Sequence, residues 1–321
     1  MNIKYNQKYV IDVILVNLYI TVKLCLLDIL LEENNGGKIM EGRIVKIGVV
    51  KCGNIGTAPL IEFLFDERAD REDLDVRVVG SGAKMGPAQA EEVAKKILDF
   101  NPDLVIVISP NAALPGPKKA REILAQSNIP TIVISDQPGK KAIKDIEEKN
   151  MGYFIVAADA MIGARREFLD PIEMAIFNAD LIKVLSVTGV FSIVYREIGK
   201  VIDQIKRGEK PELPKIVIEK ENAVKAAGFS NPYALAKAMA AHEIARSAAS
   251  LTVEGCFMIK EMERYVPIVA AAHEMIRIAA ALADEAREIE KYGDYLLRMP
   301  HHKTGEILSK RKLIEKPKKP E

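Results

Sequence analysis

The chain is 321 residues long and carries 46 Lys and Arg against 45 Asp and Glu, a formal net charge of +1. That length supports a full core and one or two domains, and the near-cancelling charge excludes a general nucleic-acid-binding surface. The three cysteines, Cys25, Cys52 and Cys256, are far apart and form no CxxC pair, which argues against a structural zinc site or a disulfide framework and fits a reducing cytoplasm.

Residues 1–42 do not resemble the rest. Tyr9 to Leu31 is apolar, but Asp12, Asn17, Lys23 and Asp28 interrupt it too closely for a membrane span, and no small-residue cleavage site follows. Glu32 to Gly37 reads as a flexible linker. Residues 1–42 are therefore expected to be an extension, with Met40 as the natural start.

From Arg43 the pattern alternates in the βαβ manner. Strands are expected at Ile44–Val50, Val76–Val79, Leu104–Ile108, Thr131–Ile134 and Tyr153–Val156, with helical stretches near 58–67, 87–99, 117–127 and 140–149. Short apolar runs between helices predict an α/β fold over 43–169, a Rossmann-like parallel sheet with helices on both faces. Ligands of such sheets sit beyond the carboxyl ends of the strands, so the informative loops are 51–57, 80–87, 109–117, 135–141 and 157–166.

The first loop runs from a buried-strand pattern through Gly53-Asn54-Ile55-Gly56-Thr57 into a helix, the start expected of a phosphate- or cofactor-binding domain. It completes neither GxGxxG nor GxxxxGK[ST], so a plain strand-to-helix turn stays open. The loops together bring Lys84, Lys118, Lys119, Lys140, Lys141, Arg165 and Arg166 toward one edge of the sheet. That chemistry suits an anionic ligand, with solvated helix-face lysines as the alternative. Asp136, before Gln137-Pro138-Gly139, is placed either to accept hydrogen bonds from a ligand or to cap a turn.

After Asp170-Pro171 the character changes. Asp170 is read as the N-cap of a long helix, Ile172–Gly189, and Val190 to Gly208 continues helically. A linker leads to a short strand, Ile216–Ile218. Helices follow at Asn231–Ser250 and Ile268–Lys291, alanine-rich on one face, as in a helix bundle or a subunit interface. Between them Leu251–Met258 is expected to pair with Tyr265–Val269 in a small antiparallel sheet. Residues 170–309 thus read as a helical bundle part with a small sheet, and 310–321 as a flexible tail. His242-Glu243 and His273-Glu274 miss the HExxH zinc pattern, because Arg246 and Arg277 stand at the fourth following position, so packing or interface roles are expected. Cys52 reads as a small buried thiol rather than a nucleophile.

KCGNIGT at 51–57, FDERADRED at 65–73, the Pro110-Asn111 to Pro115-Gly116-Pro117 loop, SDQPG at 135–139, DAMIGARREFLDPIEMA at 159–175, TVEGCF at 252–257 and ERYVPIVAAAHEM at 263–275 together resemble one family. It is the coenzyme F-420-dependent methylenetetrahydromethanopterin dehydrogenase family of methanogenic and related archaea, and the likeness runs from about Met40 to Lys312. The resemblance implies an oxidoreductase acting on CH–NH donors in one-carbon metabolism and methanogenesis from carbon dioxide. It implies reversible hydride transfer from methylenetetrahydromethanopterin to oxidised coenzyme F-420, a deazaflavin that comes and goes as a co-substrate. It further implies a cytoplasmic homohexamer, a trimer of dimers, with no metal, no bound flavin, and no nucleic-acid or membrane partner.

Direct hydride transfer asks for two stacked rings rather than a catalytic constellation, which matches the lack of one here. The residues expected to form the deazaflavin and pterin cleft are Gly53, Asn54, Gly56, Thr57, Pro110, Asn111, Asp136, Gly139, Arg165 and Arg166, with Glu167 as a carboxylate near the developing cation. Two other readings remain at this point: a nicotinamide-dependent dehydrogenase, and a non-catalytic pterin or nucleotide sensor.

Overall fold

A computed structural model describes residues 43–162 and 164–320; the extension expected over 1–42 lies outside the described residues. Six strands, β1 (Val45–Lys51), β2 (Leu74–Gly80), β3 (Leu104–Ser109), β4 (Thr131–Asp136), β5 (Gly152–Val156) and β6 (Lys215–Ile218), form one parallel sheet in the order β2-β1-β3-β4-β5-β6. Every residue of β3, β4 and β5 is buried, which is why these strands read as unbroken apolar runs rather than as alternating patterns. At the edge, β2 is half exposed and carries Asp75 and Arg77, the kind of charged edge that resists pairing with another sheet.

Strand side chains alternate between faces, and the two cores divide accordingly. On one face Ile47, Val49, Leu104, Ile106, Ile134 and Phe154 pack under α1 (Thr57–Asp66) and under α5 (Pro171–Val187) and α6 (Val190–Lys206). On the other, Val50, Val105, Val107, Val133 and Ile155 pack under α2 (Pro87–Leu98), α3 (Pro115–Gln126) and α4 (Ile143–Glu148). After β6 come α7 (Lys220–Ala227), α8 (Pro232–Val253) and α9 (Met262–Tyr292). The last two pack lengthwise on each other, and α9 also lies against α5. Buried alanines make that approach possible: Ala234, Ala238, Ala241, Ala245 and Ala248 on α8 meet a stripe of Ala272, Ala279, Ala283 and Ala286 on α9. By length and hydropathy α9 could cross a membrane, but this buried stripe gives the same composition to a core helix.

Capping follows the sequence closely. Asp170 accepts from the amides of Ile172 and Glu173, each at 2.8 Å, and Asn231 caps α8 through Tyr233 and Ala234. One long helix was expected to run on past Gly189; instead α5 and α6 meet at a 67° bend. Gly189 makes it, with φ +95° in the left-handed region.

Three expectations are corrected. The short strand near 216 belongs to the main sheet, as β6, rather than to a separate helical part. The antiparallel pairing of Leu251–Met258 with Tyr265–Val269 is absent: Leu251–Val253 end α8, Glu254–Met258 is a π turn, and 265–269 lie inside α9. Local β-branching misleads there, because Ala245, Ala248 and Thr252, and likewise Tyr265, Val269, Ala272 and Ile276, are buried at helical spacing and packing prevails over propensity. Antiparallel pairing occurs instead as isolated bridges, Arg298 with Lys310, His301 with Ile307 and Ser309 with Lys318. Those bridges hold the residues expected to be a flexible tail, helped by Arg311, which donates to the Tyr295 carbonyl at 2.7 Å and the Ser230 hydroxyl at 2.9 Å.

Candidate active site

The strand order reverses between β1 and β3. Their onward chains leave to opposite faces, so a crevice opens beyond their carboxyl ends, where parallel sheets of this kind bind ligands. Gly53 and Pro110 form its floor: Gly53 is buried with φ +94°, and a Cβ there would lie 2.7 Å from Met85 Sδ and 2.9 Å from Pro110 Cδ. Only glycine fits. Asn54 is exposed at the loop tip. Asn111 is half-buried, its Oδ1 accepting from the Ala113 amide at 2.9 Å, an Asx turn that starts the next wall. Ser109 and Ser135 stand opposite each other at the ends of β3 and β4. Ser135 Oγ accepts from the Ala112 amide at 2.9 Å, whereas the buried Ser109 Oγ has no partner. Gly139 is buried on Ser135, with no room for a side chain.

Sequence reasoning overlooked the residue that organises this edge. Asp159, fully buried just after β5, takes the amides of Gly56 at 2.7 Å and Thr57 at 2.8 Å, together with the Thr57 hydroxyl. The N-terminus of α1 therefore receives an internal carboxylate. Gly56 and Thr57, expected to offer their amides to a ligand, offer them to Asp159. Burial pushes the Asp159 carboxyl up to about 6, opposed by those three donors. Asp136, 1% exposed at the end of β4, is pushed well above the usual carboxylate range by burial and then by the charge of Asp159; the Gln137 amide, its capping donor, pulls the other way.

The basic groups at this edge divide between paired and exposed. Lys140 pairs with Glu219 at 2.7 Å and Lys119 faces Glu91 at 3.8 Å, while Lys84, Lys118 and Lys141 are exposed. Arg165 is committed inward. It donates to the carbonyls of Ile259 at 2.9 Å and Gly255 at 3.3 Å, and lies over the Tyr265 ring at 4.3 Å, clamping the loop after β5 onto the π turn between α8 and α9. Arg166 stands in solvent, 3.0 Å from Glu167. Glu167 is held below its ordinary range by that guanidinium. The structure thus gathers Gly53, Asn54, Pro110, Asn111, Asp136 and Gly139 around the crevice, sets Gly56, Thr57 and Arg165 behind it as scaffold, and leaves Arg166 and Glu167 on the rim of the β5 loop.

Other features act as support. Arg121, 1% exposed, donates to the Ala112 carbonyl at 2.6 Å and Asp145 at 2.7 Å, fixing the loop after β3. His273 Nδ1 lies 2.7 Å from Glu173, with the ring between Phe168 and Phe177, so the helix-packing reading fits it. Burial raises the Cys52 thiol to about 11, which suits a packed thiol and not a nucleophile. A cavity of about 1060 Å³ between α6 and the C-terminal segment lies away from the strand ends and includes none of the crevice residues.

A family model described as methylene-5,6,7,8-tetrahydromethanopterin dehydrogenase matches residues 45–318. The chain belongs to this family. The F-420-dependent methylenetetrahydromethanopterin dehydrogenase of Methanocaldococcus jannaschii is 58% identical over 275 residues, covering 85% of this chain and 99% of that protein. Its counterpart in Archaeoglobus fulgidus is 61% identical over 274 residues, with the same coverage. A solved structure of an F-420-dependent methylene-tetrahydromethanopterin dehydrogenase in complex with methylene-tetrahydromethanopterin and coenzyme F-420 matches with a TM-score of 0.83 and 52% identity, over 86% of this chain and all of that one. Every loop of the carboxyl edge, with Asp136 and Asp159, lies within the stretch shared with the methylenetetrahydromethanopterin dehydrogenase family.

Proposed function

We propose that the protein is an F-420-dependent methylenetetrahydromethanopterin dehydrogenase. The methylene carbon of the pterin gives up a hydride to the deazaflavin ring, leaving a methenyl cation stabilised by its flanking nitrogen lone pairs, and the reduced ring takes a proton from the medium. The observation that carries this reading is the match, over 86% of the chain, to a solved complex that contains both reactants. The crevice chemistry supports it. The protein's task in this reaction is to hold two rings in contact, and such positioning is worth roughly 7–11 kcal/mol of barrier.

Within that reading the reactants sit beyond β1 and β3, against Gly53, Pro110 and Gly139. Asn54, Asn111 and Ser109 supply hydrogen bonds, and Arg166 and Glu167 stand at the rim, Glu167 nearest the developing cation. The nicotinamide alternative is disfavoured by one observation: the amides that would receive a pyrophosphate at the start of α1 are already bonded to Asp159. A cytoplasmic homo-oligomer, a trimer of dimers, is the proposed setting.

The test is anaerobic mixing of purified protein with methylenetetrahydromethanopterin and oxidised coenzyme F-420, following loss of the deazaflavin absorbance, with NADP as a parallel acceptor. Bleaching with the deazaflavin alone is expected. Reduction of NADP instead, or two inert acceptors, would overturn the reading in favour of the nicotinamide enzyme or the sensor.

A further inference from the structure

Two carboxylates at one sheet edge, both buried, cannot both be charged cheaply. Asp159 faces three donors: the Gly56 and Thr57 amides at 2.7 and 2.8 Å and the Thr57 hydroxyl. Asp136 has the Gln137 amide. Burial acts against both, so the one with three donors holds its charge more readily and the other is pushed toward the neutral form, its ionisation opposed by the first. The groups around Asp159 are otherwise uncharged. The start of α1 meets it with Gly56 and Thr57, Leu181 of α5 closes the far side of Gly56, and β4 contributes Asp136.

Position gives this arrangement a consequence. Asp159 is the point at which the loop after β5 grips the loop after β1. Three residues upstream of its hydrogen bonds lies Gly53, on the crevice floor; six residues downstream of Asp159 lies Arg165, clamped to Gly255, Ile259 and Tyr265. One carboxylate therefore joins the crevice floor to the helical layer through two short segments.

Given the reading above, we propose that Asp159 is a positioning residue for hydride transfer: its carboxylate ties the β1 loop to the β5 loop and sets the spacing in which the two reactants meet, and protonation, which turns one of its oxygens from acceptor to donor, alters that spacing without releasing the loop. Asp136 beside it is biased toward its neutral form by burial and by the charge of Asp159.

The experiment compares the wild type with Asp159→Asn and Thr57→Val. Turnover is followed by deazaflavin bleaching across acid to neutral pH, and amide hydrogen exchange of residues 52–60, expressed as protection relative to the free peptide, is measured on the same samples. The wild type should show an acid limb in kcat/KM near pH 6 while protection in 52–60 is kept across the same interval, because the raised carboxyl favours the closed loop when protonated. Asp159→Asn should lose that limb, show low protection at every pH, and fall about a hundredfold in kcat/KM, the scale of a small misplacement of reacting groups. Thr57→Val, which removes one donor and keeps both amides and the side-chain shape, should move the limb to higher pH because the ionised form is less supported. A limb retained unchanged in Asp159→Asn belongs to a reactant and overturns the proposal; so does an unmoved limb in Thr57→Val, the deciding variant if Asp159→Asn does not fold. A wild type that never bleaches the deazaflavin refutes the proposed function, while the exchange data still decide whether Asp159 holds the loop.

Discussion

At neutral pH Asp159 is ionised in a place where burial opposes the charge. Its carboxyl is raised from 3.8 to about 6, so its contribution to folding is fully present below 3.8 and is lost as pH rises through about 6, a change of about 3 kcal/mol. Stability of the wild type relative to Asp159→Asn should therefore fall by about that amount between acid and neutral pH, as read from denaturant midpoints at each pH. A pH-independent difference would mean that Asp159 does not titrate in this interval. A group that weakens the fold at working pH is easier to understand as a functional part than as a structural one. Arg165 is the converse case. A guanidinium that spans two carbonyls and covers a tyrosine ring is not replaced by an ammonium, so Arg165→Lys should cost about 1–2 kcal/mol, measured by chemical denaturation. Were it instead a solvent-facing anion binder, the midpoint would not move.

Among the elements, the connection from β5 to β6 is unusual. The passage from β1 to β2 crosses the face covered by α1, and that from β5 to β6 crosses the same face in the opposite direction, so the two differ in hand. The other connections, over the α2–α4 face, agree in hand with the first. The right-handed preference comes from short crossovers that pack straight back onto a twisted sheet. This connection runs from Ala157 to Pro214 and includes two helices that also build the layer under α8 and α9, so it is released from that constraint. Its route depends on the Gly189 bend. There a side chain would occupy a left-handed backbone position and overlap the Ala223 carbonyl of α7. Gly189→Ala should cost about 3 kcal/mol or more, visible as a lowered denaturant midpoint; a loss below about 1 kcal/mol would show that the bend is tolerant.

For the whole molecule, the alanine stripes of α8 and α9 are spent inside the chain, against each other, and leave different residues for any contact between copies. Ala240 is exposed on α8, seven residues from Tyr233, which is 76% exposed, so the two share a helix face. Under the proposed homo-oligomer, Ala240→Glu should reduce the mass seen by light scattering without altering thermal stability. An unchanged mass would remove this face from the interface. By contrast, Ala245→Glu would place a carboxylate in the buried seam and unfold the helical layer.

The sequence by itself determined the five leading strands to within two residues at either end, the caps at Asp170 and Asn231, and the family. Each rests on a short-range signal: apolar runs bounded by turns, a side chain bonding an amide two residues on, or long stretches of shared residues. Gly53, Pro110 and Asn111 were legible as site candidates because they follow strands whose loops must face a ligand. The tertiary structure alone decided what is made by partners distant in the chain. Asp159 meets Gly56 across 103 residues, and Lys215–Ile218 joins the main sheet beside β5. The stretch from Leu251 to Val269 is helical because its buried stripe continues the α8 and α9 seam, against the local preference of its β-branched residues. Arg165, which the sequence marked as an anion binder, is turned inward by carbonyls some ninety residues away. Local chemistry states what a residue can bond; which partner it finds is settled only when the sheet and the helical layer close on each other.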